Sequence, residues 1–218
     1  MTKIIEGILI AAKRLADLKN KILAEKNSPA FAIILVGDNP ASKIYVENKL
    51  KAAKDAGISA ELFKYDDDLS EDELLNVIYA HNKNKNIHGI IVQLPLPQHI
   101  NPNKIISAID VEKDVDGFNP INIGLLYSGQ DPYYVPCTPL GILNMLKTEV
   151  QSLEGHHAVI IGRSNIVGRP LASLLLKENI TVTNFEYKTN DLEKQTKLAD
   201  IIKNSKGVMN GGVIYISY

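Results

Sequence analysis

Phe31-Ala32-Ile33-Ile34-Leu35-Val36-Gly37-Asp38-Asn39-Pro40-Ala41-Ser42 decides the fold, because its pattern changes abruptly at one turn. The continuous apolar run from Phe31 to Val36 has no polar face to give to water, so it reads as a strand buried on both sides. Gly37 ends the run. Asn39-Pro40 then opens a helix, since asparagine caps free N–H groups and proline suits a first helical turn, and Gly57 is its expected stop. Downstream, Ser59 to Tyr65 reads as a second strand, Ser70-Glu71-Asp72-Glu73 as a capping box that starts the next helix, and Ile87 to Leu94 as a third strand. Upstream, Ala11, Leu15, Leu18 and Ile22 lie on one face of an amphipathic helix over residues 8–26. Strands alternating with helices predict βαβ units and a parallel sheet, because parallel neighbours need long crossovers.

From Asp110 to Pro136 the pattern dissolves into Asp, Gly, Asn and Pro, an irregular stretch of the kind that carries function. Helical order returns with Thr138 as N-cap and Pro139 at the first helical position, continuing through Leu146. A polar segment, 148–157, leads into a strand from Ala158 to Ile161, which runs directly into Gly162-Arg163-Ser164-Asn165-Ile166-Val167-Gly168-Arg169-Pro170 and another helix. The expected organisation is two α/β domains, residues 1–139 and 140–218.

Composition narrows the function classes. With 218 residues, 45% hydrophobic and 22% charged, the chain has material for a buried core and resembles neither a disordered nor a collagen-like sequence. Its 24 basic and 25 acidic residues leave a net charge of -1, so no general attraction to nucleic acid or to an anionic membrane is expected. Any anionic partner must be held locally. The longest apolar run is too short to span a bilayer and no basic-then-apolar leader opens the chain, which suggests a cytoplasmic protein. A single cysteine, Cys137, excludes an intramolecular disulfide and any multi-cysteine metal site. It lies between Pro136 and Thr138 with no histidine nearby in sequence, so it reads as a packed, inert thiol rather than a nucleophile. The histidines at 81, 88, 99, 156 and 157 lack metal-ligand spacing, and no metal site is expected.

Four constellations could carry chemistry. Tyr45 and Lys49, with Ser42 one turn earlier, share one face of the second helix beside Val46, Leu50 and Ala53. A lysine at a core edge can lose hydration and move towards proton-transfer chemistry; a half-exposed helix face is the plainer alternative. Gln93, in Val92-Gln93-Leu94-Pro95-Leu96-Pro97, is expected to leave the carboxyl edge of the sheet, where an amide can orient an ammonium, accept a substrate hydrogen bond or merely satisfy loop backbone groups. In Lys113-Asp114-Val115-Asp116-Gly117-Phe118-Asn119-Pro120 the carboxylates could cap backbone donors or accept paired hydrogen bonds from an amidine-like edge; metal binding is the weakest option. Last, the Gly162-Arg163-Ser164 turn offers close backbone approach, a helix N-terminus and a guanidinium clamp for a phosphate. It is a modified dinucleotide motif, with Ser164 and Val167 where G-x-G-x-x-G has its second and third glycines.

Taken in order, Val36 to Ser42 leading to Tyr45 and Lys49, then Gly89 to Pro97, Lys113 to Asn119, Pro136 to Gly141 and Gly162 to Pro170 resemble the bifunctional methylenetetrahydrofolate dehydrogenase/methenyltetrahydrofolate cyclohydrolase family. The resemblance runs from the N-terminus to about Thr183. It implies an N-terminal parallel-sheet catalytic domain followed by a Rossmann-like NADP-binding domain, with tetrahydrofolate derivatives as substrates and a homodimer as the assembly. Methylenetetrahydrofolate would be oxidised by NADP and the methenyl product hydrolysed to 10-formyltetrahydrofolate. By the same resemblance Lys49 transfers the cyclohydrolase proton, Gln93 holds its amine, Tyr45 stacks on the folate ring system, and Asp116 grips the amino-pyrimidinone edge. Leu94, Pro95 and Asp114 would complete the substrate site; Gly162, Arg163, Ser164 and Thr138 would bind the cofactor.

Departures from the family pattern begin after Thr183, where Glu186 and Tyr187 replace a His-Ser pair that faces the cofactor. An acidic side chain there would repel a 2′-phosphate and could accept from a ribose 2′-hydroxyl. Beyond Ile202 the expected apolar strand is replaced by Lys203-Asn204-Ser205-Lys206, and Gly211 to Ile216 corresponds to a later family strand. The resemblance therefore implies a C-terminally truncated, incomplete second domain, and as an alternative a catalytically impaired member that retains only folate or partner binding.

Overall fold

A computed structural model describes residues 7–25, 28–204 and 214–216. The chain forms two compact units, Ile8–Pro120 and the residues from Ile121 onward joined by Gly7. The division falls earlier than the expected 139/140 because Leu126 belongs to the hydrophobic cluster of the second unit, beside Ile142 and Leu146.

The first unit contains α1 (Gly7–Ala24, beginning one residue before it), β1 (Ala30–Val36), α2 (Pro40–Ala56), β2 (Ser59–Tyr65), α3 (Glu71–Lys83), β3 (Gly89–Val92) and α4 (Pro102–Ala108). Its sheet is parallel in the order β2-β1-β3. As the opening sequence predicts, β1 is buried on both faces: Ala32, Ile34 and Val36 cluster with Leu74 and Ile78 of α3, and Ile33 and Leu35 with Val46 of α2. Burying one such isoleucine contributes about 1.5–3 kcal/mol. Asn39 starts α2 by accepting from the Ala41 and Ser42 N–H groups at 3.0 and 3.2 Å, and Gly57 ends it at φ 83°, a conformation glycine adopts without a Cβ penalty. The Ser70–Glu73 capping box closes in both directions.

Two expectations change here. β3 is shorter than Ile87–Leu94, since the Ile87 N–H closes the turn after α3 on the Asn84 carbonyl. α1 has the expected extent but contains no buried residue; Leu18 of its apolar stripe is 40% exposed.

In the second unit follow α5 (Pro120–Tyr127, its first residue in the first unit), α6 (Cys137–Glu149), β4 (His157–Ile161), α7 (Gly168–Lys177), β5 (Thr181–Phe185), α8 (Leu192–Thr196), β6 (Ile201–Asn204) and β7 (Ile214–Ile216). All strands are parallel, in the order β5-β4-β6-β7. Ala158 and Ile160 cluster with Ile142, Leu146, Leu171 and Leu175, while Val159 and Ile161 cluster with Ala199 and Ile202 on the other face.

Several sequence expectations are corrected. The stretch read as irregular contains α5, an apolar helix without the polar face that would mark it in sequence. α6 starts at Cys137 with Pro136 at the cap position and no side-chain cap, so Thr138 lies within the first turn. The Cys137 thiol is exposed rather than packed. A strand does follow Asp200: β6 pairs with β4 despite its polar end, with Lys203 only 4% exposed and its ammonium pKa pushed down by burial. Ile214–Ile216 forms β7 against β6, whereas Gly211–Val213 lie outside the described residues.

In both sheets the first strand has the second on one side and the third on the other, so connections diverge beyond the carboxyl ends of β1/β3 and of β4/β6. Ligands of open parallel sheets bind at such divergence points.

Candidate active site

The divergence point of the first unit brings together residues far apart in sequence. Gln93 follows β3, is 9% exposed, and hangs its backbone N–H on the Ile34 carbonyl of β1 at 2.9 Å. Its side-chain Nε2 donates to the Leu94 carbonyl at 2.7 Å, which leaves Oε1 to accept from Lys49 Nζ at 3.3 Å. The Leu94 carbonyl also accepts from the buried Ser42 hydroxyl at 3.4 Å, and the Leu94–Pro95 peptide is cis. One end of the Gln93 amide thus meets the loop backbone and the other the Lys49 ammonium. Lys49 is half-buried, and one helical turn earlier Tyr45 is 63% exposed, leaving its ring face free to meet a flat ligand.

The 113–119 loop runs beside β3. The Ile90 N–H donates to the Lys113 carbonyl at 2.8 Å, laying the loop along the free edge of β3. That approach explains Gly89, where a Cβ would stand 2.4 Å from a Val115 methyl. Asp116 is half-buried; desolvation raises its carboxyl pKa, while the charge of Lys49 opposes the rise. Asp114 is placed differently from the expectation of a substrate contact. Only 1% exposed, it accepts from the Asn119 N–H at 2.8 Å and organises the loop from inside.

In the second unit, Gly162 leaves β4 at φ 118°, and its N–H reaches the Phe185 carbonyl of β5 at 2.8 Å. Ser164 Oγ accepts from the Val167 and Gly168 N–H groups at 3.2 and 3.3 Å, so it caps the start of α7 while its hydroxyl proton stays available to an anion. Gly168 was not singled out in the sequence, yet a Cβ there would lie 2.1 Å from the Gly162 carbonyl oxygen. The close helix–strand approach served by the third glycine of a dinucleotide turn is thus met one position later than the standard spacing. With Gly162, the α7 N-terminus and Arg163 on one edge, the turn fits a nucleotide's phosphates. Arg163 itself is engaged, donating from Nε to Glu186 at 2.5 Å and lowering that carboxyl's pKa. Thr138 is half-buried in the first turn of α6, away in sequence from this group.

Comparison with known proteins agrees with this division. Residues 5–116 match the family model for the tetrahydrofolate dehydrogenase/cyclohydrolase catalytic domain, and residues 136–211 match its NAD(P)-binding domain. The bifunctional protein FolD of Streptococcus agalactiae serotype Ia is 52% identical over 206 residues, covering 93% of this chain and 72% of that protein. Among solved structures, the bifunctional FolD of Campylobacter jejuni superposes with a TM-score of 0.91 at 43% identity, over 93% of this chain and 73% of the other. A Trypanosoma brucei FolD solved with NADP cofactor and inhibitor gives a TM-score of 0.88 at 28% identity, over 99% and 72%.

Proposed function

The chain belongs to the tetrahydrofolate dehydrogenase/cyclohydrolase family, and on that premise we propose how its own residues divide the work. It is an NADP-dependent methylenetetrahydrofolate dehydrogenase and methenyltetrahydrofolate cyclohydrolase of one-carbon metabolism. NADP, when bound, supplies the hydride acceptor for oxidation of the one-carbon bridge. Gly162, Ser164 and the first N–H groups of α7 hold its phosphates, with Arg163 and Thr138 as further contacts.

Substrate recognition falls to the first unit. Asp116 accepts the ring N–H and exocyclic amine of the pterin as a carboxylate accepts an amidine. Tyr45 stacks on the ring system, and Leu94 and Pro95 line its edge. For hydrolysis, water adds to the methenyl carbon as Lys49 takes one of its protons, that proton passes to the ring nitrogen as its bond to the carbon breaks, and the remaining hydroxyl proton leaves to solvent as the formyl carbonyl forms. Gln93 Oε1 holds the Lys49 amine by one N–H and so aims the nitrogen lone pair. The Lys49–Gln93 hydrogen bond at 3.3 Å is the observation that carries this reading. We further place the enzyme in the cytoplasm as a homodimer; among the described residues no helix is long and apolar enough to cross a membrane.

Absorbance of the methenyl compound follows its hydrolysis directly. Lys49→Met is expected to lower the enzymatic rate by about 100-fold or more, the scale of a lost general acid–base group. An unchanged rate would remove Lys49 from the mechanism.

A further inference from the structure

Arg163 and Glu186 leave neighbouring strands at the same sheet edge. Ile161 and Phe185 are register partners of β4 and β5, and the two charged residues stand just beyond them. Their side chains meet at 2.5 Å yet remain 65% and 43% exposed, so the pair is open to a ligand rather than sealed in the core. Two recognition elements that normally serve alternative nucleotides therefore coexist on one edge. A carboxylate after the second strand of a βαβ unit accepts from a ribose 2′-hydroxyl, whereas an arginine nearby accommodates a 2′-phosphate. Here the carboxylate occupies the arginine.

We propose that Glu186 is a specificity-determining residue that weakens this chain's hold on the 2′-phosphate of NADP, so that NAD can compete with NADP at the same site. The inference rests on the assignment of the Gly162 turn as the cofactor's phosphate site. A phosphomonoester brings a charge of about -1.5 to -2 at neutral pH. To bind Arg163 it must share the guanidinium with Glu186 and sit beside that carboxylate, a like-charge contact of the kind that enforces specificity. A free 2′-hydroxyl meets neither obstacle, since it donates to Glu186 while the ion pair stays closed. Tyr187 adds to the constraint: its hydroxyl lies 3.3 Å from the position a Cβ on Gly162 would take, bordering the same turn.

Calorimetric titration of the full chain with adenosine 2′,5′-bisphosphate and with adenosine 5′-monophosphate tests this without turnover. Glu186→Gln is expected to tighten the bisphosphate by about tenfold relative to the monophosphate, the size of one removed repulsive contact. Glu186→Ser should act in the same direction, which separates loss of charge from a peculiarity of glutamine. Arg163→Met should weaken the bisphosphate more strongly in the Glu186→Gln background than in the native chain, because there the guanidinium's charge is no longer offset by the carboxylate. An unchanged ratio between the two nucleotides in both Glu186 variants overturns the inference while leaving the phosphate site intact. Failure of either nucleotide to bind any of the proteins overturns the site assignment, and the inference with it.

Discussion

Burial raises the Asp116 carboxyl pKa and the Lys49 charge opposes that rise. A carboxyl whose folded pKa lies above its unfolded one binds its proton more tightly in the folded chain. Its contribution to stability is therefore full below the ordinary aspartate value of about 3.9 and is lost as pH rises through the folded pKa. Above the folded pKa the buried, ionised carboxylate is a net cost, carried in the proposed reading for the ligand edge it accepts. Asp116→Asn should thus raise the thermal midpoint at pH 7, and the gain should vanish near pH 4 and below, where aspartate and asparagine are both neutral. Calorimetric melts at the two pH values check this; a lower midpoint at pH 7 would mean that Lys49 more than offsets desolvation. The same substitution should raise KM for the folate, since an amide offers one acceptor and two donors where the ligand needs two acceptors.

At the scale of elements, Lys113 ties the Asp116 loop to α3. Its ammonium donates to the carbonyls of His81, Asn82 and Asn84 at 3.0, 2.7 and 2.8 Å, adding a positive charge at the helix C-terminus, where the His81 and Asn84 carbonyls also accept from the Asn84 and Ile87 N–H groups. Lys113→Met should cost about 1.5–3 kcal/mol in urea denaturation, the scale of hydrogen bonds made by a charged group. It should also raise KM for the folate more than it lowers kcat, because the loop that presents Asp116 loosens while Lys49 and Gln93 stay in place. Lys113→Arg should recover part of both effects. None of this is legible in the sequence, where Lys113 is one cation in a polar loop. What the sequence does reveal is local: the buried β1, the Asn39 and Ser70 caps, the stop at Gly57. What it hides depends on partners distant along the chain. Gly168 looks like an ordinary helix residue until the Gly162 carbonyl is seen to approach it, and Asp114 looks like Asp116 until burial separates them. The Lys49–Gln93 contact joins residues 44 apart, and motif order rather than spacing pointed to it.

At the scale of the molecule, the hydrophobic clusters among the described residues each lie within one unit: the two built around β1 draw on residues 31–115, and the two built around β4 on residues 126–202. The residues assigned to hydrolysis, Lys49, Gln93 and Asp116, all belong to the first unit, whereas the turn assigned to the cofactor belongs to the second. Damage to one core should therefore divide the two activities unequally. Ile160 and Ile34 are both fully buried central-strand residues, and truncation to alanine at either should cost about 2–5 kcal/mol. Ile160→Ala is expected to depress oxidation more than hydrolysis, because it loosens the strand from which Gly162 and Arg163 emerge. Ile34→Ala is expected to depress both, because its carbonyl anchors Gln93 and both reactions use the folate held beside it. Measuring the two rates on one preparation makes their ratio independent of the fraction of protein that folds. A ratio unchanged by Ile160→Ala would show that the two cores yield as a single cooperative body, and that the division of labour between them does not extend to their stability.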